Sequence, residues 1–159
     1  MYDAHVWRVY GFLAYRLTDR ATVEDLTQAT FERALRAWSR FDPRRGSERA
    51  WLLQIAANLL VDYRRRERSV LVEAIDERWL VPAAGPEERA LGSPELALAL
   101  AELADREREV LALRFGGDLS SAEIAQLLDL TPANVQQITS RALRKLRGLL
   151  APTRPQVTA

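Results

Sequence analysis

Residues 47–68 read SERAWLLQIAANLLVDYRRRER, a run free of proline and glycine. Advancing about 100° per residue puts Leu52, Ile55, Ala56, Leu59, Leu60 and Tyr63 on one face, which predicts a helix packed on a core. The opposite stripe takes Trp51, Gln54, Asn58, Asp62 and Arg65. That stripe suits nucleic acid: an aromatic face stacks on a base, amides bond its edge, and arginines hold phosphates.

The 159 residues allow one ordinary domain or two small ones, and with 48% apolar residues they can bury real cores. The net charge of +1 says little about partners, because the charge is segregated. Basic residues crowd into Arg64, Arg65, Arg66 and Arg68 and into Arg141, Arg144, Lys145 and Arg147, while Glu73, Asp76, Glu77, Glu87 and Glu88 make the middle acidic. With no cysteine and one histidine, His5, disulfides and thiolate metal sites are excluded, and no metal or other cofactor is expected. No apolar run approaches the roughly 20 residues of a membrane span, and no secretory pattern opens the chain, so the expected location is cytoplasmic, without membrane insertion.

Outward from residues 47–68 toward the N-terminus lies FDPRRGS, residues 41–47, where Pro43 and Gly46 break the helical pattern. By itself this loop is either a connector with a buried Phe41 or, with Arg44 and Arg45 beside the ring, a grip on an extruded base. Before it, Val23, Phe31, Ala34, Leu35 and Trp38 predict the inner face of a helix that starts at a capping box of Thr22 and Asp25. Its outer stripe of Asp25, Gln28, Glu32 and Arg36 reads, taken alone, as a solvated face. A first helix is expected over Tyr2 to Leu17, with Val6, Val9, Tyr10, Leu13 and Leu17 inward.

Toward the C-terminus, Pro82, Gly85, Pro86, Gly92 and Pro94 interrupt the pattern, which predicts a linker with at most a short docking segment at Leu71, Ile75, Trp79 and Leu80. Helical spacing resumes through Leu96, Leu100 and Leu103, then Val110, Leu111 and Leu113, up to Gly116 and Gly117. Ser120 with Glu123 makes a capping box for a helix with Ile124, Leu127 and Leu128 inward. Asp129 and Leu130 then turn the chain, and Thr131 as N-cap with Pro132 behind it opens a last helix to about Leu150. Two helices across so short a turn are a helix-turn-helix signal. On the last helix Val135, Ile138, Ala142, Leu146 and Leu149 face inward. Ala133, Gln136, Gln137, Ser140, Arg144 and Arg147 face out, where glutamine suits adenine and Arg141, Arg144 and Lys145 suit phosphate or guanine.

The expected fold is therefore all-α: two small helical domains joined by a flexible linker, the C-terminal one a helix-turn-helix. The boundaries are residues 1–68, a linker at 69–94, a second domain at 95–150 and a tail at 151–159.

Two blocks carry a resemblance. EDLTQATFERALRAWSRFDP (residues 24–43), followed by WLLQIAANLLVDYRRR (residues 51–66), resembles the part of bacterial sigma factors that binds polymerase and melts the promoter. DREREVLALRFGGDLSSAEIAQLLDLTPANVQQITSRALRKLR (residues 105–147) resembles their minus-thirty-five-reading region. Their order and the short linker look like the compact extracytoplasmic-function (ECF) group of the sigma-70 family. Ala57 stands where the family commonly has Arg, and Ala104 replaces a usual Pro, leaving Asp105 as a possible N-cap.

The resemblance implies several roles. Asp25, Leu26, Gln28, Glu32 and Arg36 would dock on the clamp helices of the largest subunit of core RNA polymerase, whose flap is a further expected contact. Phe41, Arg44, Arg45, Trp51, Asn58, Asp62 and Arg65 would handle melted minus-ten DNA. Ala133, Gln136, Gln137, Ser140, Arg141, Arg144 and Lys145 would read the minus-thirty-five duplex. An anti-sigma factor is a further implied partner. The rival reading is a free-standing helix-turn-helix regulator that never touches polymerase. An enzyme is disfavoured, because no constellation of residues is able to carry a reaction.

Overall fold

The computed structural model describes residues 1–73 and 91–152, apart from the side chains of residues 71–73. Residues 74–90 of the linker, with Ile75, Trp79 and Leu80 of its docking segment, and the tail beyond Pro152 lie outside the described residues, whereas residues 69–73, Leu71 among them, continue the third helix. The elements are α1 (Tyr2–Arg16), α2 (Arg20–Arg36), α3 (Glu48–Glu73), α4 (Pro94–Ala101), α5 (Asp105–Leu111), α6 (Ser121–Leu128) and α7 (Pro132–Leu150). A 3₁₀ turn at Trp38–Arg40 follows α2, and a π turn at Ala112–Gly116 continues α5. No strand occurs among the described residues, and among them no helix is long and apolar enough to cross a membrane.

Helix ends follow side-chain chemistry. Ser120 Oγ accepts from Glu123 N at 3.2 Å while the Glu123 carboxylate accepts from Ser120 N at 2.9 Å, closing the expected capping box. Thr131 caps α7 by accepting from Asn134 N, and Pro132 sits at the first helical position. Asp129 ends α6 in the left-handed region at φ 56°, which a short polar residue tolerates. Two starts differ from expectation. The N-cap of α2 is Asp19, which accepts from Thr22 N at 2.8 Å, so Thr22 is already inside the helix. The N-cap of α5 is Ala104, whose N–H is satisfied by the Glu107 carboxylate at 3.1 Å, so Asp105 lies in the first turn.

The first three helices pack with the second half around one apolar cluster. It includes Val9, Phe12 and Leu13 of α1, Val23 and Phe31 of α2, Leu52, Leu53, Ile55 and Leu59 of α3, and Val110, Leu113, Leu119, Ile124 and Val135 beyond the linker. A second cluster holds α4 and α5 to α7 through Leu100, Leu103, Leu111, Ala142 and Leu146. Periodicity missed Phe12 and Leu53, which are fully buried, and it misplaced Leu35 and Leu149, which are exposed.

Removing Phe12 deletes a large buried ring, and Phe12→Ala is expected to cost about 3–5 kcal/mol in urea unfolding. Leu35→Ala, on the exposed side of α2, should stay within about 0.5 kcal/mol. Equal losses would contradict this assignment of the core.

Candidate nucleic-acid interface

The loop between α2 and α3 is organised by aromatic rings. In a 3₁₀ turn side chains three residues apart eclipse, and Phe41 N donates to Trp38 O at 3.0 Å across the turn. The Trp38 and Phe41 rings are thereby stacked, with centroids 5.4 Å apart and planes 26° off parallel. Trp51, in the first turn of α3, meets Phe41 at 5.2 Å and Trp38 edge-on at 6.0 Å. Helical periodicity places Trp38 on the buried face of α2. Instead that helix ends at Arg36, and Trp38 swings out as an exposed third ring of this cluster. Its spacing of three from Phe41 was the signal that could have found it.

Beside these rings is an open pocket of about 360 Å³, lined in the first half by Phe41, Asp42, Arg45, Gly46, Ser47, Ala50, Trp51 and Gln54 and in the second by Glu123, Gln126 and Leu127 of α6. Phe41, Arg45 and Trp51 thus share one cavity. Farther along α3, Asn58 and Arg65 are exposed on the same stripe, outside that lining. Asn58 accepts from Gln54 Nε2 at 3.3 Å, and Asp62 is 3.8 Å from Arg33 of α2. Arg44 is almost fully exposed and pairs with Asp42 at 3.2 Å.

The arginine run divides. Arg65, Arg66 and Arg68 are exposed, whereas Arg64 turns inward to donate to Arg16 O at 3.0 Å. Burial, followed by the nearby Arg108 charge, lowers the Arg64 pKa. Burial together with Arg64 brings Arg16 down to about 10. These guanidiniums belong to the junction of the two halves, where Arg16 also donates to Asp105 O at 3.1 Å.

On α2, Asp25, Gln28, Glu32 and Arg36 are exposed, and Gln28 Nε2 donates to Glu32 at 2.9 Å. Leu26 faces the core at 8% exposure, so it supports this surface from beneath and does not form part of it. Next to Gln28 a groove of about 470 Å³ is lined by Tyr2, Val6, Trp7 and Tyr10 of α1 and by Arg20, Glu24 and Thr27 of α2. Trp7 is 75% exposed there.

On α7, Ala133, Gln136, Gln137, Ser140, Arg141 and Arg144 are all exposed, while Val135, Ala142 and Leu146 are buried. Lys145 differs, because its ammonium donates to Glu102 O at 2.7 Å and lies 4.0 Å from Glu107. It clamps α4 and α5 to α7.

A family model described as Sigma-70 region 2 matches residues 1–70, and one described as Sigma-70, region 4 matches residues 99–148. The RNA polymerase sigma factor CarQ of Myxococcus xanthus is 34% identical, over 94% of this chain and 87% of its own length. The ECF RNA polymerase sigma factor BldN of Streptomyces coelicolor is 33% identical over 94% of this chain, which spans only 59% of that protein. Among solved structures, CnrH in complex with the cytosolic domain of CnrY superposes with a TM-score of 0.68 at 28% identity, covering 94% of this chain and 84% of that one. The chain belongs to the extracytoplasmic-function group of sigma-70 RNA polymerase sigma factors, which direct core polymerase to promoters.

Proposed function

We propose that this chain docks on core RNA polymerase through the exposed stripe of α2, sets α7 in the minus-thirty-five duplex, and holds melted minus-ten DNA with the loop and the polar face of α3. The observation that carries this reading is the pocket walled by Phe41 and Trp51 at the head of the Gln54, Asn58 and Asp62 stripe. Extruding a base costs a few kcal/mol, and stacking returns roughly 1–3 kcal/mol per base. A ring-lined pocket can therefore hold strands apart with no hydrolysis. The protein acts as a non-enzymatic factor in the cytoplasm, where its polymerase and promoter are. CnrH was solved with the cytosolic domain of CnrY. By analogy, an anti-sigma protein would cover the α2 stripe and the adjoining Tyr2, Trp7 and Tyr10 groove.

The direct test is transcription with purified core polymerase on genomic DNA followed by mapping of start sites. Specific starts support the reading, and failure to bind core at low salt contradicts it. Asp25→Ala with Gln28→Ala should weaken core binding, an effect that a free-standing DNA regulator would not show. Asn58→Ala should leave core binding near normal and reduce strand opening, read by permanganate reactivity of unpaired thymines. Equal loss of both would remove the division of labour between α2 and α3.

On α7, Arg144→Ala should lower duplex affinity and flatten the salt dependence by about one unit of slope, as expected for a lost phosphate contact. Lys145→Ala should change the salt slope far less, because its ammonium is engaged by Glu102 O. Its cost should appear in unfolding stability.

A further inference from the structure

Two sets of arginines join the halves, and they differ in what answers their charge. In one set Arg8 lies 3.2 Å from Asp118, and Arg49 pairs with Asp118 at 3.3 Å and with Glu123 at 3.4 Å, so each guanidinium has a carboxylate. In the other, Arg16 at the end of α1, Arg64 of α3 and Arg108 of α5 crowd together with little to oppose them. Arg64 donates to Arg16 O at 3.0 Å and Arg16 to Asp105 O at 3.1 Å, and both acceptors are uncharged backbone. The Asp105 carboxylate stands 3.6 Å from Arg108, beyond hydrogen-bond length, with its side chain 81% exposed. Glu109 is held at 3.1 Å by Arg106.

The crowding leaves two marks. The Nε atoms of Arg16 and Arg108 are buried and make no hydrogen bond to any described residue, whereas buried donors are nearly always paired. Burial, followed by the charge of Arg64, brings the Arg16 pKa down to about 10, so its charged form is disfavoured although it persists at neutral pH. A nearby negative charge would relieve both.

Arg16 and Arg108 line one recess of about 30 Å³, together with Tyr15, Thr18, Ala97 and Leu100. That space takes about two water-sized groups, which is too little for the five heavy atoms of phosphate or sulfate. Its walls suit an anion: two guanidiniums, two residues whose hydroxyls can donate, and apolar Ala97 and Leu100. Burial raises the Tyr15 pKa, so the phenol keeps its proton at neutral pH.

We propose that Arg16, Arg64 and Arg108 hold a monatomic anion of the size and charge of chloride in this recess, so that α1 and α3 are joined to α5 through a shared counter-ion. Arg16 and Arg108 offer the donors. Arg64, outside the lining, adds its charge and fixes the end of α1 through Arg16 O. An anion held between residues of both halves binds the folded chain and not the unfolded one, so it stabilises the fold by mass action.

The experiment measures the quadrupolar NMR linewidth of chloride in the presence of the full chain, because chloride that visits a protein site relaxes faster than the free ion. Excess broadening that saturates with chloride is expected. Bromide at equal concentration should displace it, and glutamate or phosphate, which do not fit, should not. Arg16→Gln and Arg108→Gln should each remove most of the excess, while Arg20→Gln, in an exposed pair with Glu24, should leave it unchanged. At constant potassium, exchanging glutamate for chloride at roughly tenfold its dissociation constant should move the parent's thermal midpoint about 3–5 °C beyond the shift of Arg108→Gln. Broadening absent from the parent, displaced equally by phosphate or retained in both variants, or a midpoint that responds alike in parent and Arg108→Gln, would each overturn the proposal. If a variant fails to fold, the bromide and phosphate competition on the parent decides alone.

Discussion

One close approach between the two halves is made by backbone alone. Gly11 in α1 and Gly116 in the π turn face each other so closely that a Cβ on Gly116 would come within 2.6 Å of the Gly11 carbonyl oxygen. Gly117 next to it is covered by Leu53 of α3, whose Cδ1 lies 2.5 Å from where its Cβ would be. Interiors are close-packed and bistable, so a contact of this kind is made fully or not at all. With it made, Val110, Leu113, Leu119 and Ile124 complete a core begun by Val9, Leu13 and Leu52, and the ionic contacts of Asp118 and Glu123 fall into register around it.

The same constraint explains the two burdens on α3. Its apolar face closes the first half through Leu52, Ile55, Ala56, Leu59 and Leu60, and Leu53 turns toward the second. What remains is a narrow polar stripe headed by Trp51. A rigid helix beneath the stripe fixes the rings of Trp38, Phe41 and Trp51, and binding groups held on such scaffolds lose little freedom when a ligand arrives. The arginines also separate by position: Arg64 serves the junction, while Arg65 and Arg66 remain for solvent or phosphate.

Much of this was legible in the residues. Local rules carried α1, α2, α3, α6 and α7, the Ser120 and Glu123 box, the Thr131 and Pro132 start, and the polar face of α7, because each depends on groups within about one helical turn; the break between α4 and α5 did not show in the periodicity, which runs on from Leu96 to Leu113. Partners remote in sequence were not legible. Leu53 lies off the apolar stripe of α3 when that helix is considered alone, and it is buried because Gly117 comes to meet it. Phe12 follows Gly11 at the crossing. Leu26 was grouped with its polar neighbours, although its burial beneath α2 follows from packing against the rest of the first half. Lys145 read as a phosphate ligand, since nothing local shows that Glu102 O stands 2.7 Å away. Trp38 was misassigned because the end of α2 at Arg36 changes the period from that of an α-helix to that of a 3₁₀ turn.

The most direct measurement places a photo-reactive phenylalanine analogue at position 51 in the assembled holoenzyme and maps its cross-links on promoter DNA. Trp51 as a wall of the capture site predicts cross-links to one or two unpaired non-template bases in the minus-ten segment, appearing as the strands open and absent on the closed duplex. Equal cross-linking before and after opening, or cross-links confined to polymerase, would contradict it.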